Sequence, residues 1–183
     1  MIGLHDLNGG LSLAKVNEEL NAQSHLGNLN TISDSKKAFH KEFPYVIPPL
    51  YRRLTDELLV ELHLLNHQKT FKPKGLFCVG LVHVFDSFTQ GYKPKNHLKE
   101  LFNALCNSNE LDPADIKSES TRVVEAYKKI ETNQILEILE NEKSQTISED
   151  LKEKLSINGI KNDHYSRLNT IGLYHALDLN DIK

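Results

Sequence analysis

The segment from Pro49 to Asn66 reads PLYRRLTDELLVELHLLN, and its leucines recur every three or four residues. That spacing is typical of an α-helix with an apolar face. Because apolar side chains fall on two sides of this helix, it is predicted to be the central helix of a bundle. Arg52, Asp56 and His63 lie between the two apolar regions and are predicted to face solvent. The first region is a broad stripe of Leu50, Leu54, Leu58, Leu59, Leu62 and Leu65, and the second is a patch of Val60 and Leu64.

Helical patterns continue on both sides of this segment. Ser33 is predicted to cap a short helix that runs to His40, and a helix from Lys74 to Gln90 is predicted to stop at Gly91. No pair of strand-like segments is present, so the predicted fold class is all-α, a compact multi-helix bundle. Further helices are predicted to open at Pro94 and at Asp112-Pro113, and to cover Gln134–Glu142, Ser148–Leu155 and Asp163–Leu177.

The amino-acid composition excludes several classes of protein. A chain of 183 residues with 39% hydrophobic residues can bury a core without disulfide bonds. Its two cysteines, Cys78 and Cys106, are too few for a disulfide framework and are predicted to be buried thiols of a reducing compartment. The longest nearly unbroken apolar stretch runs from Gly75 to Phe85, well short of the ~20 residues that span a bilayer. Collagen-like, disulfide-rich and integral-membrane proteins are therefore excluded.

The sequence contains none of the common catalytic signatures, such as a glycine-rich phosphate loop, G-x-S-x-G or H-E-x-x-H. His63 and His67 have a spacing that two zinc ligands on one helix can use, but no third ligand accompanies them, so both are interpreted as surface histidines. Glu57 and Glu61 are also four residues apart, without the Glu-x-x-His pairs of a di-metal bundle. A metal-dependent helical enzyme that uses these four residues remains an alternative function.

Charged residues on the two most apolar helices suggest ion pairs. Arg53, Glu57 and Glu61 follow one another at intervals of four, which predicts an ion cluster that would fix how this helix docks. Asp86 interrupts the aromatic stretch Phe85-Asp-Ser-Phe88, where it could be a lone acid or could pair with an arginine such as Arg52 or Arg53 on a neighbouring helix. The ion pair is the favoured prediction, because no second catalytic group is recognisable nearby.

A small basic loop contains Lys69, Lys72 and Lys74. Such a loop could bind RNA or a lipid headgroup, which is a further alternative function. Only Phe71 is interleaved with these lysines, so nucleic-acid binding is weakly indicated.

Five blocks of sequence, in this order, resemble the thylakoid formation protein family, whose members are also described as photosystem II biogenesis proteins. The resemblance extends from about residue 30 to 177, and the order of the blocks makes it more specific than a single motif. The blocks are Thr31–Phe39 (TISDSKKAF), Tyr51–Leu65 (YRRLTDELLVELHLL), Val84–Tyr92 (VFDSFTQGY), Ala104–Cys106 (ALC) and Tyr165–Tyr174 (YSRLNTIGLY).

The resemblance implies an all-helical, non-enzymatic protein of cyanobacteria and plastids, with no cofactor and no metal. The residues before Leu29 do not resemble a plastid transit peptide, which favours a cyanobacterial protein. Members of the family associate peripherally with the thylakoid membrane, on its cytoplasmic or stromal side. They support photosystem II biogenesis and repair, and they bind and maintain membrane-bound FtsH protease complexes. The implied partners are therefore an FtsH-type protease complex, the photosystem II assembly and repair machinery, and the thylakoid membrane surface. No nucleic acid is expected.

The resemblance also suggests how the chain is organised. Residues 1–28 have no counterpart in it and are predicted to be a disordered N-terminal extension, whereas residues 29–178 are predicted to form the all-helical domain. Members of the family typically continue into a charged C-terminal coiled-coil helix. Residues 179–183 are therefore expected to be a truncated tail, with that helix either lost or outside the sequence.

The candidate site is a set of residues that punctuate the two most apolar helices. They are expected to organise a helix junction or to form the face that docks on a partner. The set consists of Tyr51, Arg52, Arg53, Glu57, Asp86, Gly91 and Tyr92.

Overall fold

The computed structural model describes residues 30–131, 133 and 166–181, and in these ranges it contains six α-helices and no strand. The predicted all-α fold is confirmed. The proposed extension at residues 1–28 and the helices predicted at Gln134–Glu142 and Ser148–Leu155 lie outside the described residues. The helices are α1 (Ile32–Glu42), α2 (Pro49–Asn66), α3 (Leu76–Phe88), α4 (His97–Asn107), α5 (Pro113–Tyr127) and α6 (Arg167–Asp181).

Helix α1 begins two residues earlier than the sequence pattern indicated. Thr31, not Ser33, is its N-cap, and the Thr31 hydroxyl accepts a hydrogen bond from the Asp34 backbone N–H at 3.2 Å. The Asp34 carboxylate in turn accepts from the Thr31 N–H at 3.1 Å, which completes a capping box. The prediction of Ser33 failed because this reciprocal pair satisfies two free N–H groups, whereas a single cap satisfies one. The hydrogen bonds from Thr31 hold the pKa of Asp34 below its ordinary value.

Helix α3 is shorter than predicted at both ends. It starts after Gly75, whose φ of 66° is a conformation that glycine adopts without strain. The Gly75 N–H donates to the Glu119 carboxylate at 2.9 Å, so this turn is tied to α5. At the other end Thr89 caps the helix, two residues before the predicted stop at Gly91, and its hydroxyl donates to the Phe85 carbonyl at 2.6 Å.

The remaining boundaries agree with the sequence pattern to different degrees. Asp112 caps α5 as predicted, because its carboxylate accepts hydrogen bonds from the N–H groups of Ala114 and Asp115. Helix α4 begins at His97, three residues after the predicted opening at Pro94. Helix α6 ends at Asp181 rather than at Leu177.

The central helix is α3, so the prediction that α2 is central is wrong. Every residue from Leu76 to Leu81 is buried, and α3 packs most extensively against α6 and α5. Helix α2 buries only part of its apolar surface, since Leu50, Leu54 and Leu64 remain 76%, 40% and 54% exposed. One apolar face of α2 therefore packs against the core, and the other is left uncovered by the part of the chain that the structure describes.

Helices α3 and α6 cross with their backbones in contact. A Cβ atom built on Gly80 would lie 1.9 Å from the Leu168 carbonyl oxygen, and one built on Gly172 would lie 2.0 Å from the Leu76 carbonyl oxygen. Any side chain at either glycine would therefore force the helices apart. This close crossing explains why a glycine stands in the middle of each helix.

Both cysteines are fully buried and free, as predicted for small core residues. Burial raises the pKa of the Cys78 thiol and of the Cys106 thiol to about 12. In the part of the chain that the structure describes, no helix combines the length and the apolar character that crossing a membrane requires.

Candidate functional site

The outward face of α2 borders a groove with a volume of about 930 Å³. Helix α1 contributes one side chain to its wall, and the start of α6 contributes two. Ser166 fixes that start, since its hydroxyl accepts a hydrogen bond from the Leu168 N–H at 3.2 Å. The lining residues are Lys36, Pro49, Arg52, Arg53, Asp56, Glu57, Val60, Glu61, Leu64, Leu65, Ser166 and Arg167.

The groove combines apolar and charged side chains. Val60, Leu64 and Leu65 provide apolar surface, and Leu65 also belongs to the core below. Val60 and Leu64 are the second apolar patch of the sequence pattern, which here lines a groove instead of contacting a neighbouring helix. Of these three side chains Leu64 is exposed, Val60 is partly buried and Leu65 is buried.

Two ion pairs cross the groove surface. The Arg53 Nε–H donates to the Glu57 carboxylate at 2.9 Å, as the spacing of four predicted. Glu61 was predicted to join this pair, but it does not. It accepts instead from Arg167 Nη2 at 2.7 Å, at the start of α6. The sequence spacing could not reveal this contact because tertiary packing brings Arg167 to α2.

Arg52 lies on the side of α2 that faces α1. It lines both the groove and an adjacent cavity of about 230 Å³, to which Phe39 and His40 of α1 and Tyr45 also contribute. Within residues 30–131 and 166–181, Arg52 makes no ion pair. Its side chain is exposed.

Three other predicted site residues form a helix junction. The rings of Tyr51 and Tyr92 meet edge to face with centroids 5.0 Å apart, and a Cβ atom on Gly91 would lie 2.9 Å from the Tyr51 hydroxyl oxygen. Tyr92 is almost completely buried, and this burial raises its pKa. These contacts join α2 to the turn after α3.

Asp86 stands apart from both groups. Its side chain is exposed on α3, and no ion pair links it to Arg52 or Arg53 among the residues that the structure describes. The predicted pairing is wrong because Asp86 occupies a solvent-facing position, between the buried Phe85 and the partly buried Phe88. The seven predicted residues thus divide into a groove group (Arg52, Arg53, Glu57), a junction group (Tyr51, Gly91, Tyr92) and Asp86.

His63 is buried, with 6% of its surface exposed, so its prediction as a surface residue is wrong. Helix α1 covers it, and the Ser35 hydroxyl shares a hydrogen bond with His63 Nδ1 at 2.9 Å. His67 is exposed, and its Nδ1–H donates to the His63 carbonyl. Burial, and to a lesser extent His67, lower the pKa of His63. Among the described residues no three His, Cys, Asp or Glu side chains are grouped so that they could hold a metal ion.

The basic loop proposed for RNA or lipid binding is exposed at Lys69, Lys72 and Lys74. These lysines do not line the groove. They therefore provide a separate surface that serves as a control for the groove residues.

Sequence reasoning missed Lys36, Ser166 and Arg167 as parts of the groove. Nothing in the local pattern of Lys36 distinguishes it from the lysine beside it. The sequence did contain a signal for Arg167, because the Tyr165–Tyr174 block and the Tyr51–Leu65 block both belong to the family resemblance. The structure shows that Arg167 of the former binds Glu61 of the latter.

Comparison with known proteins matches residues 31–183 to the model of the thylakoid formation protein family. The protein named Thf1 from Prochlorococcus marinus strain NATL1A is 50% identical over 147 residues, which cover 79% of this chain and 66% of that protein. Thf1 from Synechococcus sp. strain CC9902 is 47% identical over 84% of this chain and 64% of its own length. This chain thus spans slightly less than two thirds of the length of these two relatives.

A solved structure supports the same relationship. The structure of Psb29 superposes with a TM-score of 0.64 at 33% sequence identity, covering 81% of this chain and 75% of Psb29. The family match, the Thf1 relatives and the Psb29 fold agree over the helical region. The chain belongs to the thylakoid formation protein family.

Proposed function

We propose that this chain is a non-enzymatic interaction protein that supports photosystem II biogenesis and repair and the organisation of thylakoid membranes. It acts by binding FtsH-type protease complexes, from the cytoplasmic or stromal side of a cyanobacterial thylakoid to which it attaches peripherally. Support comes from membership of the thylakoid formation protein family and from similarity to Thf1 and Psb29.

The groove on α2 is the observation that carries this proposal. It lies on the Tyr51–Leu65 block, the most distinctive part of the family resemblance, and it joins the exposed Leu64 to arginines in one open surface. Arginine and large apolar residues contribute most of the binding energy at protein interfaces. The groove is therefore the proposed docking face, with Arg52 and Arg53 as its principal charged contacts.

Affinity isolation from cyanobacterial membranes tests this function. The tagged chain should recover the FtsH complex, and the double variant Arg52→Ala/Arg53→Ala should recover much less. The matched control is Lys69→Ala/Lys72→Ala, which removes two exposed positive charges outside the groove and should recover the parent amount. If Arg52→Ala/Arg53→Ala is folded by circular dichroism and recovers as much FtsH as the parent, the groove is not the docking face.

A further inference from the structure

Four apolar residues, three exposed leucines and the partly buried Val60, form a row along one side of α2. Leu50, Leu54, Val60 and Leu64 are spread over about four turns, or about 21 Å of helix. Their intervals of four and six residues keep them within about a third of the helix circumference. A second helix laid along α2 could cover this row, because helices pack through side chains spaced in this way.

Charge is distributed unevenly around the row. Arg53 neutralises Glu57 and Arg167 neutralises Glu61, so both acidic residues already have partners. Lys36 and Arg52 line the side of the groove toward α1, and neither makes an ion pair within residues 30–131 and 166–181.

Asp56 is the only other charged residue in the lining, so the lining carries a surplus of one positive charge. The surplus lies on the α1 side, because Lys36 and Arg52 are two positive charges there and Asp56 is one negative charge. A partner that approaches from this side therefore gains from carrying negative charge.

We propose that the groove, together with Leu50 and Leu54 beside it on α2, binds an amphipathic helix of a partner protein, whose apolar face covers the leucine row and whose acidic edge meets Lys36 and Arg52. This inference rests on the proposed docking function and states the chemistry of the segment that docks. The apolar row supplies most of the affinity, and the basic side sets the orientation of the helix and discriminates against basic segments.

Two synthetic peptides of about 18 residues, long enough to cover the row as helices, test the inference. Both carry leucines at intervals of three and four, and they differ only in whether one edge holds glutamates or lysines. Titrated against the full chain in fluorescence anisotropy, the glutamate peptide should bind at least about tenfold more tightly than the lysine peptide.

Variants show whether this preference comes from the groove. Lys36→Glu/Arg52→Glu should remove or reverse the preference, whereas the control Lys69→Glu/Lys72→Glu should keep it. Leu50→Ser/Leu64→Ser, at two exposed positions, should abolish binding of both peptides while the far-ultraviolet circular dichroism stays that of the parent.

Several results would overturn the inference. Equal binding of the two peptides, or a preference that survives Lys36→Glu/Arg52→Glu, shows that the basic side does not select the partner. Binding of neither peptide shows that the groove does not accept a partner helix. A dimer in sedimentation that Leu50→Ser/Leu64→Ser dissolves identifies a second copy as the occupant. Because the peptide titration contains no FtsH, a negative result with the peptides is distinguishable from a failure of the chain to bind FtsH.

Discussion

Arg167 at the start of α6 donates a hydrogen bond to Glu61 in the middle of α2, at 2.7 Å between Nη2 and Oε2. The two residues are 106 positions apart in sequence, and they are the only ion pair within residues 30–131 and 166–181 that joins α2 to another helix. Both line the groove. The contact therefore places the beginning of the last helix at the proposed docking face.

Loss of this ion pair should alter the position of the start of α6 at the groove more than it lowers the free energy of unfolding. Because Arg167 is exposed, Arg167→Ala should lower the free energy of unfolding by no more than about 1 kcal/mol. Urea denaturation of the parent, Arg167→Ala, Glu61→Gln and the double variant measures the coupling, expected at about 0.5 kcal/mol. A coupling above about 2 kcal/mol would show that the pair behaves as a buried one.

The crossing of α3 and α6 should tolerate no side chain at its two glycines. Gly80→Ala or Gly172→Ala places a Cβ atom about 2 Å from a backbone carbonyl oxygen, which cannot rotate away. Each change should lower the free energy of unfolding by at least about 2 kcal/mol in urea denaturation. Gly91→Ala is the control, because its Cβ meets a side-chain atom, the Tyr51 hydroxyl oxygen, instead of a backbone carbonyl oxygen. Similar losses at all three positions would contradict the close crossing.

The two thiols should react only when the protein unfolds. Burial excludes reagents from Cys78 and Cys106 and raises both pKa values to about 12, so almost no thiolate forms at neutral pH. With a thiol-specific disulfide reagent at pH 8, the native protein should release colour slowly, and the urea-unfolded protein should react at once at both cysteines. Rapid reaction of one thiol in the native protein would show that its helix opens.

Stability should fall as the pH decreases below neutrality because two histidines resist protonation in the folded state. Burial, and then the neighbouring His83 ring at 3.8 Å, lower the pKa of His175, an effect that Lys128 reinforces and Asp178 opposes. The folded pKa lies below the unfolded value of about 6.5, so the unfolded chain binds more protons as the pH falls through this range. Stability is therefore complete above the unfolded pKa and is lost as the pH falls toward the folded one.

Denaturation midpoints at pH 7.5 and pH 5.5 measure this dependence. The midpoint should drop at the lower pH, and His175→Gln should reduce the drop. Burial also lowers the pKa of His63, so His63 should cause part of the drop that remains in His175→Gln. An identical pH dependence in His175→Gln and the parent would exclude His175 as a cause.

Local features of this fold were predictable from sequence, and features set by packing were not. The start of α5 was predicted correctly because Asp112, Pro113 and Asp115 act within one turn. The leucines of α2 suggested a central helix because periodicity identifies apolar faces without identifying what covers them. Only the structure shows that α3 occupies the centre, where Gly80 lets α6 approach.

The candidate site was predictable in the same partial way. Arg53 and Glu57 form the pair that their spacing indicated, because both lie on one helix. Asp86 and Arg52 were paired incorrectly, since a contact between helices depends on how each helix is rotated. His63 was assigned to the surface because its sequence position does not reveal that α1 lies across it.

Direct binding of the purified chain to a purified FtsH-type complex from cyanobacterial thylakoids tests the proposed function. With the chain immobilised and the complex in mild detergent, we expect saturable binding that Arg52→Ala/Arg53→Ala weakens by about tenfold and Lys69→Ala/Lys72→Ala leaves intact. No saturable binding to the parent chain would contradict the proposed function.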